Sequence, residues 1–178
     1  MVNYSLSDKF IEITTGTQLC GTIRDYDDHY EIWTPASVTH VVKWQDGEYW
    51  HGTYERDEAA SFKFYTTDLM LAERNIVAAL CDAHRSANGI PRLDYYRMAR
   101  TVKPGFQSYM LTQHYSTIRN LSTGAAYPMR IFEFMDTPLK ATRLSHIVTV
   151  PVEELFASYM DPGGAPLFSH FIYKRPQQ

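Results

Sequence analysis

The densest group of residues that could do chemistry is Asp27-Asp28-His29, two carboxylates and an imidazole in consecutive positions. A metal site needs three or four such donors converging on one point, and neighbours in an extended chain point to opposite sides. A solvated turn is therefore the favoured reading. The other histidines, His40, His51, His84, His114, His146 and His170, are scattered singly, with no pair at the four-residue spacing of a helical metal site. They are expected in packing or at the surface. Glu153-Glu154 offers paired carboxylates, but consecutive helical positions do not face each other, and acids in a first turn are accounted for by the helix dipole. The chain holds no Walker phosphate loop, GxGxxG, GxSxG, HExxH or CxxC pair. No catalytic residue, metal or cofactor is assigned.

Recognition chemistry is better represented. The 13 tyrosines outnumber the 9 phenylalanines, and a phenol offers apolar area together with a hydrogen bond, as wet protein interfaces require. Two loops combine tyrosine with arginine and several acids, Arg24 to Tyr30 and Tyr54 to Glu58. The candidate contact residues are Tyr26, Asp27, Asp28, Tyr54, Glu55, Arg56, Asp57 and Glu58. The competing reading is plainer: tyrosines border sheet cores, and charges collect at hairpin ends.

These residues need a scaffold. Phe10 and Ile13 follow a Ser/Asp-rich start and suggest a short first helix between Ser5 and Leu19. From Thr22 to Tyr54 the chain turns aromatic and β-branched and predicts a meander of three antiparallel strands. Asp46-Gly47 between two aromatic runs predicts a tight hairpin. From Thr66 to Ser86, Leu69, Ala72, Ile76, Leu80 and Ala83 form one apolar stripe with Glu73, Arg74, Asp82 and Arg85 mainly elsewhere, the mark of an amphipathic helix that Asn88-Gly89 stops. Residues 90 to 108 lack a period and read as a connection. Tyr109 to Arg119 and Tyr127 to Phe134 read as two strands around an Asn120 to Gly124 turn. Asp136-Thr137-Pro138 opens a helix with Asp136 as polar cap and Pro near the first helical position, Pro151-Val152-Glu153-Glu154 opens another, and a Gly-rich turn leads into a final strand, Pro166 to Tyr173. The expected fold is α+β: an antiparallel sheet of about five or more strands with two hairpins, one long central helix, and shorter N- and C-terminal helices.

Composition narrows the class. At 178 residues, with nothing that reads as a linker or repeat, residues 1–178 are expected to form a single domain. The 17 basic against 20 acidic residues leave a net charge of -3, which argues against a nucleic-acid partner because phosphates are gathered by a basic field. No apolar run approaches the ~18 residues of a membrane helix, and the start lacks a signal-peptide pattern, so a cytoplasmic protein without a membrane partner is expected. Cys20 and Cys81 are the only cysteines, and Cys81 sits among Ile76, Val77 and Leu80, where a buried free thiol is expected.

In the C-terminal third, Leu144-Ser145-His146, Val150 and Asp161-Pro-Gly-Gly-Ala-Pro-Leu-Phe168 fall in an order and spacing that resembles a bacterial immunity-protein family, typified by the immunity factor for the tuberculosis necrotizing toxin. A second region of likeness runs from Glu48 to Leu80: an aromatic strand, the polar Tyr54 to Ala60 loop, and the amphipathic helix. The likeness is weakest at Asn88 to Gln107 and Gly16 to His29. The resemblance implies an antitoxin without catalysis that stays in the producing cell, binds its toxin one-to-one, and blocks the NAD pocket of an NAD glycohydrolase. Two other readings remain open: a small-molecule binder or enzyme using a sheet face lined by Trp33, Trp44, Trp50 and His51, and a cytosolic secretion chaperone or adaptor.

Overall fold

The Oγ of Ser7 accepts the Phe10 N–H at 3.1 Å and so starts helix α1 (Asp8–Gly16), whose Phe10 and Ile13 turn into the core. The computed structural model of the chain describes residues 5–17, 19–34, 38–55 and 59–173. After α1 come strands β1 (Thr22–Asp25), β2 (His29–Trp33), β3 (Val38–Gln45), β4 (Glu48–Glu55) and β5 (Ser61–Thr66), then helices α2 (Leu69–Ala87) and α3 (Tyr95–Arg100). Strands β6 (Phe106–Met110), β7 (Tyr115–Asn120) and β8 (Met129–Phe132) follow, then helices α4 (Leu139–Leu144) and α5 (Val152–Met160), and a 3-10 turn at Ser169–Phe171. All eight strands lie in one antiparallel sheet of order β1-β2-β3-β4-β5-β8-β7-β6. The α+β class with a long central helix is as the sequence indicated.

The Asp46-Gly47 turn is where expected: both residues hold positive φ, 54° and 82°, which fits a two-residue hairpin closed by Gln45 opposite Glu48. Eight strands fall within the expected five or more, but individual strands are placed differently. Thr22 to Tyr54 makes four strands, and β5 was not foreseen, because a register shift at His51/Gly52 breaks its alternation: Phe64 faces the core while both Phe62 and Tyr65 face away. Gly52 is required at that shift, since a Cβ there would stand 2.6 Å from the Ser61 carbonyl oxygen. Tyr109 to Arg119 is a hairpin instead of one strand, turning through Leu111 to His114 with no Gly or Pro to announce it. The connection from 90 to 108 contains α3, too short for a period to show.

Two further expectations are corrected. Pro166 to Tyr173 is a turn and 3-10 helix, because its buried residues Phe168 and Phe171 are spaced three apart; only Ile172 bridges, to Leu93. Helix α4 is not capped by Asp136. The buried Glu133, at the end of β8, accepts the Lys140 and Ala141 N–H groups at 2.8 and 3.2 Å, and Ser116 Oγ at 2.8 Å, placing a carboxylate at the positive end of the helix.

The core lies between the inner sheet face and the helices. Tyr30, Ile32, Val42, Tyr49, Phe64, Ile118, Met129 and Ile131 meet Leu71, Ile76, Val77 and Leu80 of α2, which packs on β4 and β5 and against α5. Cys20 and Cys81 are buried free thiols. Because α2 is enclosed on several sides, the expected division into an apolar and a charged face fails: Glu73 and Arg85 are buried with the stripe. Arg85, 1% exposed, donates to the carbonyls of Pro91, Tyr159, Asp161 and Pro162. It thereby holds the chain after α2 and the chain after α5 to the same helix end.

Replacing Arg85 with Met keeps the side-chain bulk but leaves four carbonyls without their donor. The expected loss is about 3–5 kcal/mol in urea unfolding, against under ~1 kcal/mol if the guanidinium were merely accommodated.

Candidate functional site

Helices cover one face of the sheet. The opposite face carries Trp33, Tyr54, Trp50, Phe62, Tyr65, Arg130 and Phe132, and no helix among the described residues packs on it. Glu31, near one edge of that face, organises its surroundings. Its Oε1 accepts the Tyr54 hydroxyl at 2.7 Å, and its Oε2 accepts the Trp33 indole N–H at 3.0 Å and the Tyr26 hydroxyl at 3.4 Å. Burial would raise the Glu31 carboxyl, but the three donors outweigh it and hold it below the ordinary range. The Arg24 guanidinium lies 4.9 Å from the Trp33 ring, and Val41 is buried beneath this cluster. Farther along, Arg130 pairs with Glu48 and stacks on Tyr65 at 4.2 Å.

The structure joins some of the sequence-selected contact residues and separates others. The register sets the Asp27-Asp28 turn at the end of the sheet where His29, Lys43 and Trp50 align, and Tyr54 at the other end with Thr39 and Trp33. The two loops are thus at opposite ends of the strands, yet Tyr26 and Tyr54 lean toward each other and share Glu31. Asp28 accepts from His29 Nδ1 at 2.7 Å and lies 3.4 Å from Lys43 Nζ, and the His29 contact leads in holding its carboxyl low. Arg56, Asp57, Glu58 and the side chain of Glu55 lie outside the described residues. Glu31 and Arg130 were not selected, and Trp33 only for the small-molecule reading; strand alternation is the signal that groups Glu31 and Trp33 on one face.

The set Trp33, Trp44, Trp50 and His51 does not line one face. Trp33 and Trp50 point outward, whereas Trp44 packs on Tyr49 at the core and His51 is buried inside. Inside, two of the singly scattered histidines meet: His40 Nδ1 is 3.0 Å from His51 Nε2, and His51 Nδ1 is 2.7 Å from the Asn75 amide nitrogen. An amide nitrogen only donates, so His51 Nδ1 accepts, its Nε2–H donates to His40 Nδ1, and the His40 proton sits on Nε2. The hairpin register made this pair legible, since Val42 faces His51 and His40 faces Thr53, leaving the histidines diagonal on one face. A cavity of about 180 Å³ opens beside them, bordered by Asn75, Lys63, Lys140 and Arg143.

The family profile described as Immunity protein 61 matches residues 15–167, from the end of α1 to the turn before the 3-10 helix. The chain belongs to the immunity protein 61 family. It is also similar to the solved structure of Rv3902c from M. tuberculosis, at 18% identity and a TM-score of 0.74, covering 98% of this chain and 99% of that one. That likeness is one of fold. No curated protein matches the chain. As a member of an immunity-protein family, the protein has a cognate toxin as the partner to be expected, and the immunity-family resemblance read from the sequence holds.

In this immunity protein 61 chain the histidine pair makes stability depend on pH. Burial lowers His40 to about 4 and His51 well below its ordinary value, with His40 adding to the latter. Both are therefore neutral in the fold at pH 7. A base depressed on folding binds fewer protons than it does unfolded, so its contribution is complete above ~6.5 and is lost as pH falls toward the folded value. By pH 5 the expected cost is about 2 kcal/mol for His40. Asp82, raised by burial to about 7, changes stability in the opposite sense over this range. A comparison of native chain and His40→Gln by urea unfolding at pH 7.5 and 5.0 cancels that contribution. The native chain should lose about 2 kcal/mol more than the variant, and equal losses would mean the pair is not held neutral by the fold.

Proposed function

We propose that this protein neutralises a cognate secreted toxin by forming a one-to-one complex that covers the toxin's active site. Membership of the immunity protein 61 family over residues 15–167 carries the reading. The toxin class we infer is an NAD glycohydrolase, as the sequence resemblance implies. On this reading the protein is not itself an enzyme, acts in the cytoplasm of the cell that makes the toxin, and needs neither nucleic acid, membrane nor cofactor.

The role sets a physical requirement. A toxin that consumes a cofactor catalytically must be bound almost completely, which calls for nanomolar or tighter affinity, about -12 kcal/mol. An interface of about 1,600 Å² in total with a few aromatic or arginine anchors is the usual means. The outer sheet face supports this: Trp33 and Tyr26 are exposed, and hydrogen bonds to Glu31 restrain both, together with Tyr54, before a partner arrives. Side chains already held in place lose less conformational entropy on binding. The acidic groups at Asp27, Asp28, Glu55, Asp57 and Glu58, with Arg56 among them, would complement a cationic pocket shaped for a pyrophosphate.

The direct test is NAD hydrolysis by the toxin domain encoded beside this gene, with and without one equivalent of the protein. Turnover should fall to background at about one-to-one, and full turnover without a detectable complex would overturn the reading. Within it, Tyr54→Ala and Trp33→Ala should each weaken the complex by about tenfold or more while the fold persists; unchanged affinity in both would move the interface away from this face.

A further inference from the structure

The pocket beside the histidine pair lies between β3, β4 and β5 on one side and α2 and α4 on the other, and it opens to solvent. Its volume of about 180 Å³ is well beyond what one water molecule requires. Three cations border it, Lys63 from β5 and Lys140 and Arg143 from α4. Among the described residues no hydrogen bond or ion pair holds the Arg143 guanidinium, which lies 4.7 Å from the Tyr95 ring and is the first of the charges that lower the Asp82 carboxyl. Lys63 Nζ likewise has only the Phe134 ring, at 5.4 Å. Lys140 Nζ donates to the Phe132 carbonyl at 2.5 Å, and its pKa is lowered, by burial first and then by Lys63 and Arg143 as neighbours of like charge.

The nearby acids do not neutralise this group. Glu133 acts on Lys140 but is committed to capping α4 and to Ser116, and it does not line the cavity. Asp82 lies beyond Arg143 on α2 and does not line it either; burial raises it to about 7, so near neutral pH it carries only part of a charge. The histidines, neutral near pH 7, add no negative charge. Three like charges about a cavity, with unused donors, are a repulsive arrangement that an entering anion relieves. The exposed Phe134 also stands against Lys140, 4.7 Å from its Nζ, and gives the cationic group an apolar flank.

We propose that this cavity is an oxyanion-binding site that takes a compact carboxylate or phosphate between Lys63, Lys140 and Arg143. The site is independent of the outer sheet face and of the immunity reading. Arg143 supplies a planar fork suited to two oxygens, while Lys63 and Lys140 act as point charges.

The test is an NMR titration of the isotope-labelled chain with sodium phosphate and, separately, sodium acetate, at ionic strength held constant with sodium chloride. Saturable shifts centred on Asn75, Lys140 and Arg143 are expected, with affinity reduced about tenfold in Arg143→Gln, the loss of one charge-assisted contact. Lys63→Gln serves as the second variant, because the Lys63 side chain holds no hydrogen bond in the fold and its removal leaves the scaffold intact. Saturation by both anions would assign a site that accepts a carboxylate, such as an acidic side chain of a partner. Saturation by phosphate alone would assign a phosphate-bearing ligand. Shifts that rise without saturating for either anion, or native affinity in both variants, would overturn the proposal.

Discussion

The polar side chains that α2 turns toward its neighbours, Glu73 and Arg85 buried and Arg74 partly so, are the constraint on which the rest of the molecule depends. Glu73 Oε1 accepts the Ser7 N–H at 2.6 Å, Arg74 Nε donates to the Val150 carbonyl at 2.6 Å, and Arg85 gathers four carbonyls, one from the chain after α2 and three from the end of α5 and the turn that follows it. Each bond ties a stretch of irregular backbone to the central helix. Burying such groups is costly unless they are satisfied, so the segments that satisfy them have to be where they are. The long connections after α2, α4 and α5 therefore take defined paths although they hold little regular structure.

With the inner face of the sheet committed to that helix, the outer face is left to water and to partners. An antiparallel sheet tolerates this, because its strands can alternate apolar and polar residues. What distinguishes this face is the amount of aromatic surface that is restrained in advance: Tyr26, Trp33 and Tyr54 on Glu31, and Tyr65 under Arg130. Side chains held in place in this way lose less conformational entropy when a partner docks.

Much of the fold was legible. The Asp46-Gly47 hairpin, the long amphipathic helix and the short first helix rest on local chemistry that acts within a few residues. The strands that escaped notice are those whose signal is interrupted: β5 by its register shift, and β6 and β7 by a turn without Gly or Pro. The last segment was misread for a related reason. Its apolar residues suit a strand by type, but their spacing of three belongs to a 3-10 turn.

By itself the sequence determined the fold class, the hairpin at Asp46-Gly47, the central helix and the resemblance to an immunity family, because each is written in residues close together in the chain or in an ordered motif. Only the tertiary structure decided which side chains meet. Tyr26 and Tyr54 share a carboxylate that lies between them, and three cations from β5 and α4 face one cavity. Those juxtapositions depend on strand order, register and helix docking, which are set by the burial of apolar area across the whole chain and leave no mark at any single spacing.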